Sequence, residues 1–242
     1  MKEKNNQRKD LFNQDNKIAT EYDLLKMAIP HHDEFQAQMG KELLNNFDSK
    51  AEINILEIGA GTGLTTQEIS RVMPNAKITS IDLEKVMLDQ AKTKNLGSDI
   101  IFVQVDVNDF LNYANQNGIK YDAVVTGYTL HNFNHTFRSE VLAGIHKILK
   151  DDGIFVNADK IAHDDQDEYK KVYKEQIEKY DIYDSIGYSD LKKEWIDHYE
   201  VDNQKEIILI EGTFKKELKE LGFKDIKTTY RNMLETVVVC KK

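Results

Sequence analysis

The chain has 242 residues, 40% of them hydrophobic and 31% charged, so it can bury a core without disulfides or structural metal ions. Its formal net charge of -9 argues against nucleic acid as a partner, because a phosphate backbone repels a protein whose basic residues are not clustered. Cys240 is the single cysteine, which excludes an internal disulfide and fits a reducing cytoplasm. Residues 1–10 are polar and no apolar run has the length of a membrane span, so we expect a cytoplasmic protein without membrane contact.

The predicted elements begin with a helical segment over residues 11–47, interrupted at Pro30 and the two following histidines. Apolar runs rich in Ile and Val then alternate with amphipathic stretches. The runs cover 53–58, 76–81, 100–105, 123–126 and 154–158, and the predicted helices cover 64–73, 84–95, 107–117 and 135–150. This alternation predicts a parallel sheet with helices on both faces. Before the fifth run, Gly153 is expected to end the preceding helix in the left-handed conformation.

The remaining third of the chain is helical first and extended at its end. Residues 163–211 are rich in aromatic side chains, and the helical spacing of Tyr169, Tyr173 and Tyr180 favours core packing over a substrate pocket. A helix over 213–221 and two runs over 223–230 and 234–240 predict a terminal hairpin with an antiparallel last strand. We interpret 1–242 as one domain. Its parts are a helical cap (11–50), a cofactor-binding core (51–160), a helical insertion or lid (163–211) and a terminal helix with hairpin (213–242).

A glycine-rich turn follows the first predicted strand, in the sequence ILEIGAGTG at residues 55–63. Gly59, Gly61 and Gly63 let the backbone and a helix N-terminus approach a polar part of a nucleotide-like ligand. Leu64 stands where a dinucleotide fingerprint has its third glycine, so the spacing departs from that motif. The alternative is a turn that needs glycine only for tight packing.

Two aspartates end the next two predicted strands. Asp82 lies about 20 residues past the glycines, where a carboxylate commonly accepts hydrogen bonds from ribose hydroxyls. Asp106 is placed to accept a hydrogen bond from an adenine amino group while the Val107 amide donates to the ring. Each aspartate alone could instead cap the helix that follows it.

In these features the chain resembles the class I S-adenosylmethionine-dependent methyltransferases. The resemblance rests on the glycine motif preceded by Glu57, on Asp82 and Asp106, on YDAVVTGYTLHNF at residues 121–133 and on the terminal hairpin. It implies S-adenosylmethionine as cofactor and a Rossmann-like, doubly wound α/β sheet of seven strands in the order 3-2-1-4-5-7-6, with strand 7 antiparallel. The implied cofactor-binding residues are Glu57, Gly59, Ala60, Gly61, Gly63, Asp82, Leu83, Asp106, Val107, Thr126 and Gly127.

A narrower likeness is to the carboxy-S-adenosylmethionine synthases that serve tRNA wobble-uridine modification. It rests on AIPHH, YTLHNF, Lys160 and GYSDL at 187–191. Those synthases hold the transferred carboxylate with an arginine after GYS, whereas this chain has none between Arg138 and Arg231. His32 and Gly127 also stand where a tyrosine and an asparagine are expected. We therefore predict methyl transfer to a small-molecule acceptor. The alternatives are carboxyl transfer from prephenate, a non-catalytic S-adenosylmethionine-binding protein and a nicotinamide enzyme.

The acceptor site is predicted from fewer residues. His131, just past the fourth strand, is our candidate for a general base or orienting group, and the alternative is a histidine that caps its local turn. Tyr128 is expected to flank the methyl group or the acceptor, with plain packing as the alternative. Lys160 either reaches an acidic substrate or is exposed. We expect no metal site, since no carboxylate-histidine zinc motif is present. A homodimer is left open.

Overall fold

The computed structural model describes residues 16–94, 96–97 and 99–242. The predicted helical residues 11–15 and the predicted helix end at Asn95 lie outside the described residues. The chain begins with α1 (Lys17–Thr20), a 3-10 turn (Tyr22–Leu24), α2 (Leu25–Ala28) and α3 (His32–Asn46). Pro30 separates α2 from α3, as predicted, because its ring cannot continue the preceding helix.

A seven-stranded sheet forms the centre of the fold. Its strands are β1 (Asn54–Ile58), β2 (Lys77–Asp82), β3 (Asp99–Gln104), β4 (Tyr121–Gly127), β5 (Leu149–Lys160), β6 (Lys224–Asn232) and β7 (Glu235–Lys241). They lie in the order β3-β2-β1-β4-β5-β7-β6. The first five strands pair in parallel, and β7 is antiparallel to both β5 and β6. The predicted strand order and the antiparallel seventh strand are confirmed.

The crossover helices are α4 (Leu64–Val72), α5 (Lys85–Ala91), α6 (Val107–Gln116) and α7 (His135–Ile148). Successive residues of a strand point to opposite faces, so the sheet carries two hydrophobic cores. Ile55 packs with Phe35 of α3 in one core, whereas Leu56 packs with Leu111 of α6 and Leu142 of α7 in the other. The resulting three layers bring the carboxyl ends of β1 to β5 to one edge, where doubly wound sheets bind ligands.

The junction between α7 and β5 differs from the prediction. The residue in the left-handed conformation is Asp152, with φ 62°, and Gly153 is not among the residues with positive φ. A Cβ at Gly153 would meet the carbonyl oxygens of Lys150 at 2.9 Å and Asp122 at 3.1 Å. Glycine is therefore needed here for close backbone approach, and the prediction of a left-handed Gly153 is wrong.

After β5 the chain forms α8 (Gln166–Lys179), α9 (Ile182–Ser185), α10 (Ser189–Asp202) and α11 (Glu211–Glu220) before the terminal hairpin. Tyr180 is fully buried and stacks on Trp195 of α10, with ring centroids 6.1 Å apart, so this tyrosine packs in the core as predicted. None of the helices in the described ranges is both long and apolar enough to cross a membrane.

Candidate functional site

The glycine loop after β1 contains three residues in the left-handed backbone conformation, and their surroundings differ. Gly59, Gly61 and Gly63 have φ values of 77°, 53° and 85°. A Cβ at Gly59 would lie 2.1 Å from the Thr129 hydroxyl oxygen, and one at Gly63 would lie 2.9 Å from the Ala91 Cβ. At Gly61 the nearest atom beyond the chain neighbours is the Met87 methyl carbon, at 3.8 Å. Packing therefore requires glycine at 59 and 63, whereas Gly61 borders open space of the kind that a ligand needs.

Asp82, at the end of β2, holds the tip of this loop. One carboxylate oxygen accepts a hydrogen bond from the Gly61 amide at 2.8 Å, and the other accepts from the Glu84 amide at 2.8 Å. Burial raises the pKa of Asp82, while those backbone donors lower it. Each oxygen can accept a second hydrogen bond, so the carboxylate suits two ribose hydroxyls. Leu83, beside it, is partly exposed.

Glu57 lies beneath the loop, fully buried in β1. It accepts hydrogen bonds of 2.5 Å from the hydroxyls of Thr66 on α4 and Ser80 on β2. Burial raises the pKa of Glu57 to about 7, against the opposing effect of the two hydroxyl donors. The carboxyl thus ties three elements together where the loop begins. The amide of Ala60 donates to the Ile81 carbonyl at 2.9 Å and fixes the loop to β2.

The predicted adenine and methionine residues follow along the same edge. Asp106 caps α6 by accepting from the Asn108 amide at 2.9 Å, so its capping role is real and one carboxylate oxygen remains for a ligand. Val107 is buried behind it. The Thr126 hydroxyl donates to Asn157 on β5 at 2.7 Å. A Cβ at Gly127 would lie 2.5 Å from the Thr65 hydroxyl oxygen, which gives a steric reason for glycine at the position where the resemblance led us to expect asparagine.

We expect Asp82→Ala to weaken S-adenosylmethionine binding by about 1–3 kcal/mol, because the ribose hydroxyls and the Gly61 amide would both lose a charged acceptor. Isothermal titration calorimetry measures the change in dissociation constant. Asp89→Ala is the matched control, since Asp89 is an exposed carboxylate on α5 that contacts Lys85. An unchanged dissociation constant in folded Asp82→Ala would remove this residue from the cofactor site.

The N-terminal segment crosses the edge of the sheet; we call residues 17–29 the strap. The Asp23 carboxylate accepts hydrogen bonds from the Thr62 hydroxyl at 2.6 Å and from the Lys94 ammonium at 3.0 Å, beside the glycine loop. At its other end the Ile18 amide donates to Glu194 of α10 at 3.0 Å. The strap therefore joins the glycine loop to the helices that follow β5.

His131 stands in a 3-10 turn (Leu130–Asn132) directly after β4. Its Nδ1 contacts the carboxylate of Asp159, a fully buried residue of β5. Asp159 also accepts from the amides of Leu130 at 2.8 Å and His131 at 3.2 Å. Asp159 thus caps the turn, and His131 holds Asp159 through Nδ1. The carboxylate fixes the imidazole orientation and leaves Nε2 facing inward.

Three further polar side chains cluster beside His131, with Asp202 at their centre. The Asp202 Oδ2 atom of α10 lies 3.7 Å from His131 Nε2 and 3.3 Å from His198 Nε2, and the Lys160 ammonium contacts the same oxygen. Lys160 is buried, so the alternative of an exposed lysine is wrong. Sequence reasoning missed Asp159, His198 and Asp202. The only available signal was the spacing of four between His198 and Asp202 on α10.

The atoms of His131, His198 and Asp202 that can bind metal lie within 4.8 Å of one another. The Lys160 ammonium already contacts the Asp202 oxygen that a metal ion would need. A metal bound there would have to displace this charge or lie beside it, which Coulomb repulsion opposes. The expectation of no metal site stays a prediction, and metal analysis of the purified protein tests it.

A small pocket lies beside this cluster, with room for about one water molecule; we call it the central pocket. Its lining includes Tyr22, Tyr128, His131, Lys160, Trp195 and Tyr199. Tyr128 has φ 48° and packs edge-on against Phe35, with ring centroids 5.0 Å apart, so it is both a packing residue and part of the pocket wall. Tyr169 and Tyr173 line an adjacent cavity that also reaches His131. The packing prediction for these two tyrosines was therefore incomplete.

Glu235 is a buried carboxyl at the start of β7, opposite Lys160 in the strand pairing. Burial raises its pKa to about 7, and backbone donation, the Lys160 and Lys179 charges and the Tyr128 hydroxyl oppose the rise. Glu235 therefore adds a partly ionised carboxyl behind the Tyr128 wall of the central pocket at neutral pH.

The pKa of Glu235 is higher in the folded protein than the usual 4.5, so the folded state binds the proton more tightly. Proton binding by Glu235 therefore stabilises the folded state by on the order of 3 kcal/mol below pH 4.5. This stabilisation is lost as the pH rises to about 7. We expect the free energy of unfolding of Glu235→Gln to fall less between pH 5 and pH 8 than that of the wild type. The fall that remains in the variant is the contribution of Glu57. Urea unfolding at a series of pH values is the measurement.

Glu211→Gln is the control in that series, because the pKa of Glu211 is shifted in the opposite direction to that of Glu235. Burial opposes the shift, but hydrogen bonds from Lys215, Thr228 and Arg231 lower the pKa of Glu211 to about 2. Its contribution is present above pH 4.5 and is lost as the pH falls towards 2. A wild-type slope in Glu235→Gln between pH 5 and pH 8 would contradict the assignment.

Comparison with known proteins places this geometry among methyltransferases. A family model described as a methyltransferase domain matches residues 55–153. The carboxy-S-adenosyl-L-methionine synthase of Nautilia profundicola is 29% identical over 241 residues, covering 95% of this chain and 94% of that protein. A malonyl-[acyl-carrier protein] O-methyltransferase of Bacillus anthracis is 27% identical over 143 residues, covering 57% of this chain and 51% of that protein.

The solved structures agree on the fold. The plantazolicin methyltransferase in complex with S-adenosylhomocysteine superposes with a TM-score of 0.62 at 18% identity, covering 93% of this chain and 89% of that one. The predicted Rossmann-like class and the predicted resemblances are confirmed.

Proposed function

We propose that this chain, which is similar to the class I S-adenosylmethionine-dependent methyltransferases, uses S-adenosylmethionine to methylate a small molecule bound in the central pocket. The observation that carries the proposal is the orientation of His131. Its Nδ1 is held by the buried Asp159 carboxylate, its Nε2 lies 3.7 Å from Asp202 Oδ2, and its side chain lines the pocket. A histidine held in this way is suited to take a proton from an acceptor.

The residues at the sheet edge fit the cofactor by their own geometry. Open space at Gly61 admits the ligand, and Asp82 has acceptor capacity left for the ribose. We assign Asp106 and Val107 to the adenine and the backbone of Thr126 and Gly127 to the methionine part. When bound, the cofactor supplies a methyl group activated by a positively charged sulfur.

In the proposed reaction His131 Nε2 takes a proton from the acceptor as the acceptor attacks the methyl carbon. Asp159 stabilises the imidazolium that forms and holds the ring in place. The aromatic walls of the central pocket exclude water and restrict the acceptor to a short approach to the methyl group. Rate enhancement is then due mainly to positioning and proton removal.

The second candidate is carboxyl transfer, which the similarity to carboxy-S-adenosylmethionine synthases over nearly the whole chain favours. The arginines of the described residues argue against it. Arg138 donates to the backbone carbonyls of Leu130 and Ile207, at 3.3 and 3.0 Å, and Arg231 pairs with Glu211 at 2.7 Å. Arg71 pairs with Glu68. None of these three guanidinium groups lines the central pocket.

A product analysis separates the two reactions. The protein is incubated with S-adenosylmethionine carrying a deuterated methyl group, with and without prephenate, in the presence of small-molecule extracts, and the products are identified by mass spectrometry. We expect S-adenosylhomocysteine together with a labelled acceptor. A carboxylated sulfonium formed with prephenate would establish carboxyl transfer, and cofactor binding without any product would favour a non-catalytic binding protein.

We also propose that the strap and the helices α8 to α10 cover the reacting groups and open to exchange ligands. Hydrogen exchange with and without S-adenosylhomocysteine should then show increased protection at residues 24–35 or 169–199, because closure removes these amides from water. Strand β6, at the far edge of the sheet, serves as the internal control. Protection that rises only at the glycine loop and the ends of β2 and β3 would contradict a lid.

Location and assembly also remain proposals. Cys240 is buried, and burial raises the pKa of its thiol, so it fits a reducing cytoplasm and does not require one. Light scattering on the purified protein tests whether it forms a homodimer.

A further inference from the structure

Helix α10 forms one wall of the central pocket. The pocket has room for about one water molecule, and only 6% of His131 is exposed. An acceptor larger than water therefore cannot reach His131 while α10 and the strap keep these positions. The proposed reaction requires one of these walls to move. The residues of α10 that line the pocket are Trp195, His198 and Tyr199.

A buried ion pair joins α10 to the edge of the sheet; we call Lys160 and Asp202 the clasp. Lys160 is the last residue of β5, Asp202 is the last residue of α10, and the ammonium contacts the Asp202 Oδ2 atom. The same ammonium lies 3.5 Å from the centroid of the Tyr199 ring, which is also on α10. Both contacts attract the cation to this helix, and both strengthen where water is excluded. Lys160 thus holds α10 against the sheet edge.

The clasp also lies on the reactive side of His131. Asp202 Oδ2 is 3.7 Å from His131 Nε2, the atom that takes a proton in the proposed reaction. His198 Nε2, on the same helix, is 3.3 Å from that oxygen. In the closed structure a carboxylate therefore stands beside the nitrogen that an acceptor has to reach. Movement of α10 away from Lys160 would carry Asp202 and His198 with it and uncover this nitrogen.

The clasp can open because water compensates its charges. Each charge of a buried ion pair gives up its hydration, so separation of the pair returns part of the lost free energy. The indole nitrogen of Trp195 is buried without a hydrogen-bond partner among the described residues, and water would satisfy it too. Glu235, the carboxyl opposite Lys160 in the strand pairing, belongs to the sheet, so its charge cannot hold α10. Asp202 is therefore the carboxylate that links Lys160 to the helix.

We propose that the clasp is the gate to the acceptor site. Separation of Lys160 from Asp202 releases α10 and admits the acceptor to His131, and renewed pairing closes the pocket and excludes water. Lys160 and Asp202 are thus positioning residues that act through α10. The inference rests on the proposed function for the role of His131, whereas the motion itself requires no reaction.

The fluorescence of Trp195 measures the opening. It is the only tryptophan of the chain, it lies on α10, and 3% of its surface is exposed. Acrylamide is larger than water, so it should quench this residue mainly in the open state. Asp202→Leu leaves Lys160 without its partner on α10, and we expect its quenching constant to be at least about threefold that of the wild type. Asp202→Asn keeps hydrogen bonding and loses the charge, so its value should lie between the two.

Two further variants test whether the ion pair is the cause. Lys160→Met/Asp202→Leu replaces both charges by apolar side chains that can pack together, so its quenching constant should return to within about 1.5-fold of wild type. Asp197→Leu makes the same change at an exposed carboxylate of α10 and should leave the quenching constant at the wild-type value.

Wild-type quenching in both variants at position 202, or equal quenching in Asp202→Leu and the double variant, would overturn the clasp. Circular dichroism reports whether each variant is folded. Should Asp202→Leu fail to fold, Asp202→Asn decides alone, since quenching above wild type supports the clasp and wild-type quenching contradicts it. None of these measurements needs cofactor or acceptor. A clasp that responds as expected in a protein without methyl transfer would therefore count against the proposed function alone.

Discussion

Replacing His131 by glutamine is expected to lower the turnover of methyl transfer by about 10²- to 10⁴-fold, the usual contribution of a positioned general base. A hydroxyl or ammonium acceptor must lose a proton to attack the methyl group, and glutamine cannot take that proton. The affinity for S-adenosylmethionine should change little, since the residues assigned to the cofactor, apart from Thr126 and Gly127, lie at the ends of β1, β2 and β3 or just after them. Release of S-adenosylhomocysteine gives the rate, and calorimetry gives the affinity.

His135→Gln is the matched control, because His135 lies four residues further along the chain and is exposed at the start of α7. Its turnover should stay near that of the wild type. The loss of turnover should therefore be specific to His131→Gln. Turnover within a few-fold of wild type in this variant would show that the acceptor needs no base, as an acceptor that is already ionised would not.

The architecture could be predicted from the sequence because each signal was local. The strands of the parallel sheet are short apolar runs separated by helical periods, and the antiparallel ending follows from a hairpin pattern. The left-handed residue near the start of β5 was missed because Asp152 and Gly153 are adjacent and both tolerate turns. Only the positions of Lys150 and Asp122 show that the glycine is needed for space.

The position of Asp82 and Asp106 at one edge of the sheet could be predicted for the same reason, whereas the polar cluster around His131 could not. Asp82 and Asp106 are recognisable as acids that end apolar runs. Asp159 also ends such a run, yet its meaning depends on the adjacent β4, which brings His131 against it. His198 and Asp202 lie on a helix far along the chain, and their spacing is that of any helix face. Their inward direction is set by how α10 packs over the sheet edge.

The sequence gives no reason to distinguish the three glycines of the loop, whereas the structure shows that the space around them differs. A Cβ added at Gly59 or Gly63 would meet a neighbouring atom within 3 Å, whereas one added at Gly61 would not. This contrast turns a general expectation for a glycine motif into a specific one. A substitution at Gly61 should act on the ligand, and the same substitution at Gly59 should act on the fold.

Gly61→Val is therefore expected to abolish measurable S-adenosylmethionine binding while the protein stays folded. The branched side chain would occupy the open space that the ligand needs. Valine would also have to adopt a left-handed φ of 53°, at a cost of about 1–2 kcal/mol, which a stable domain tolerates. Calorimetry measures binding, and far-ultraviolet circular dichroism with thermal unfolding reports the fold.

Gly118→Val separates backbone strain from loss of ligand space. Gly118 has φ 66° and no atom within 4 Å of an added Cβ, and it lies in the turn between α6 and β4, away from the glycine loop. Its variant should show a similar loss of stability and normal cofactor affinity. Normal cofactor affinity in Gly61→Val as well would show that the cofactor does not occupy the open space beside Gly61. The position of the cofactor along the sheet edge would then have to be assigned from Asp82 and Asp106 alone.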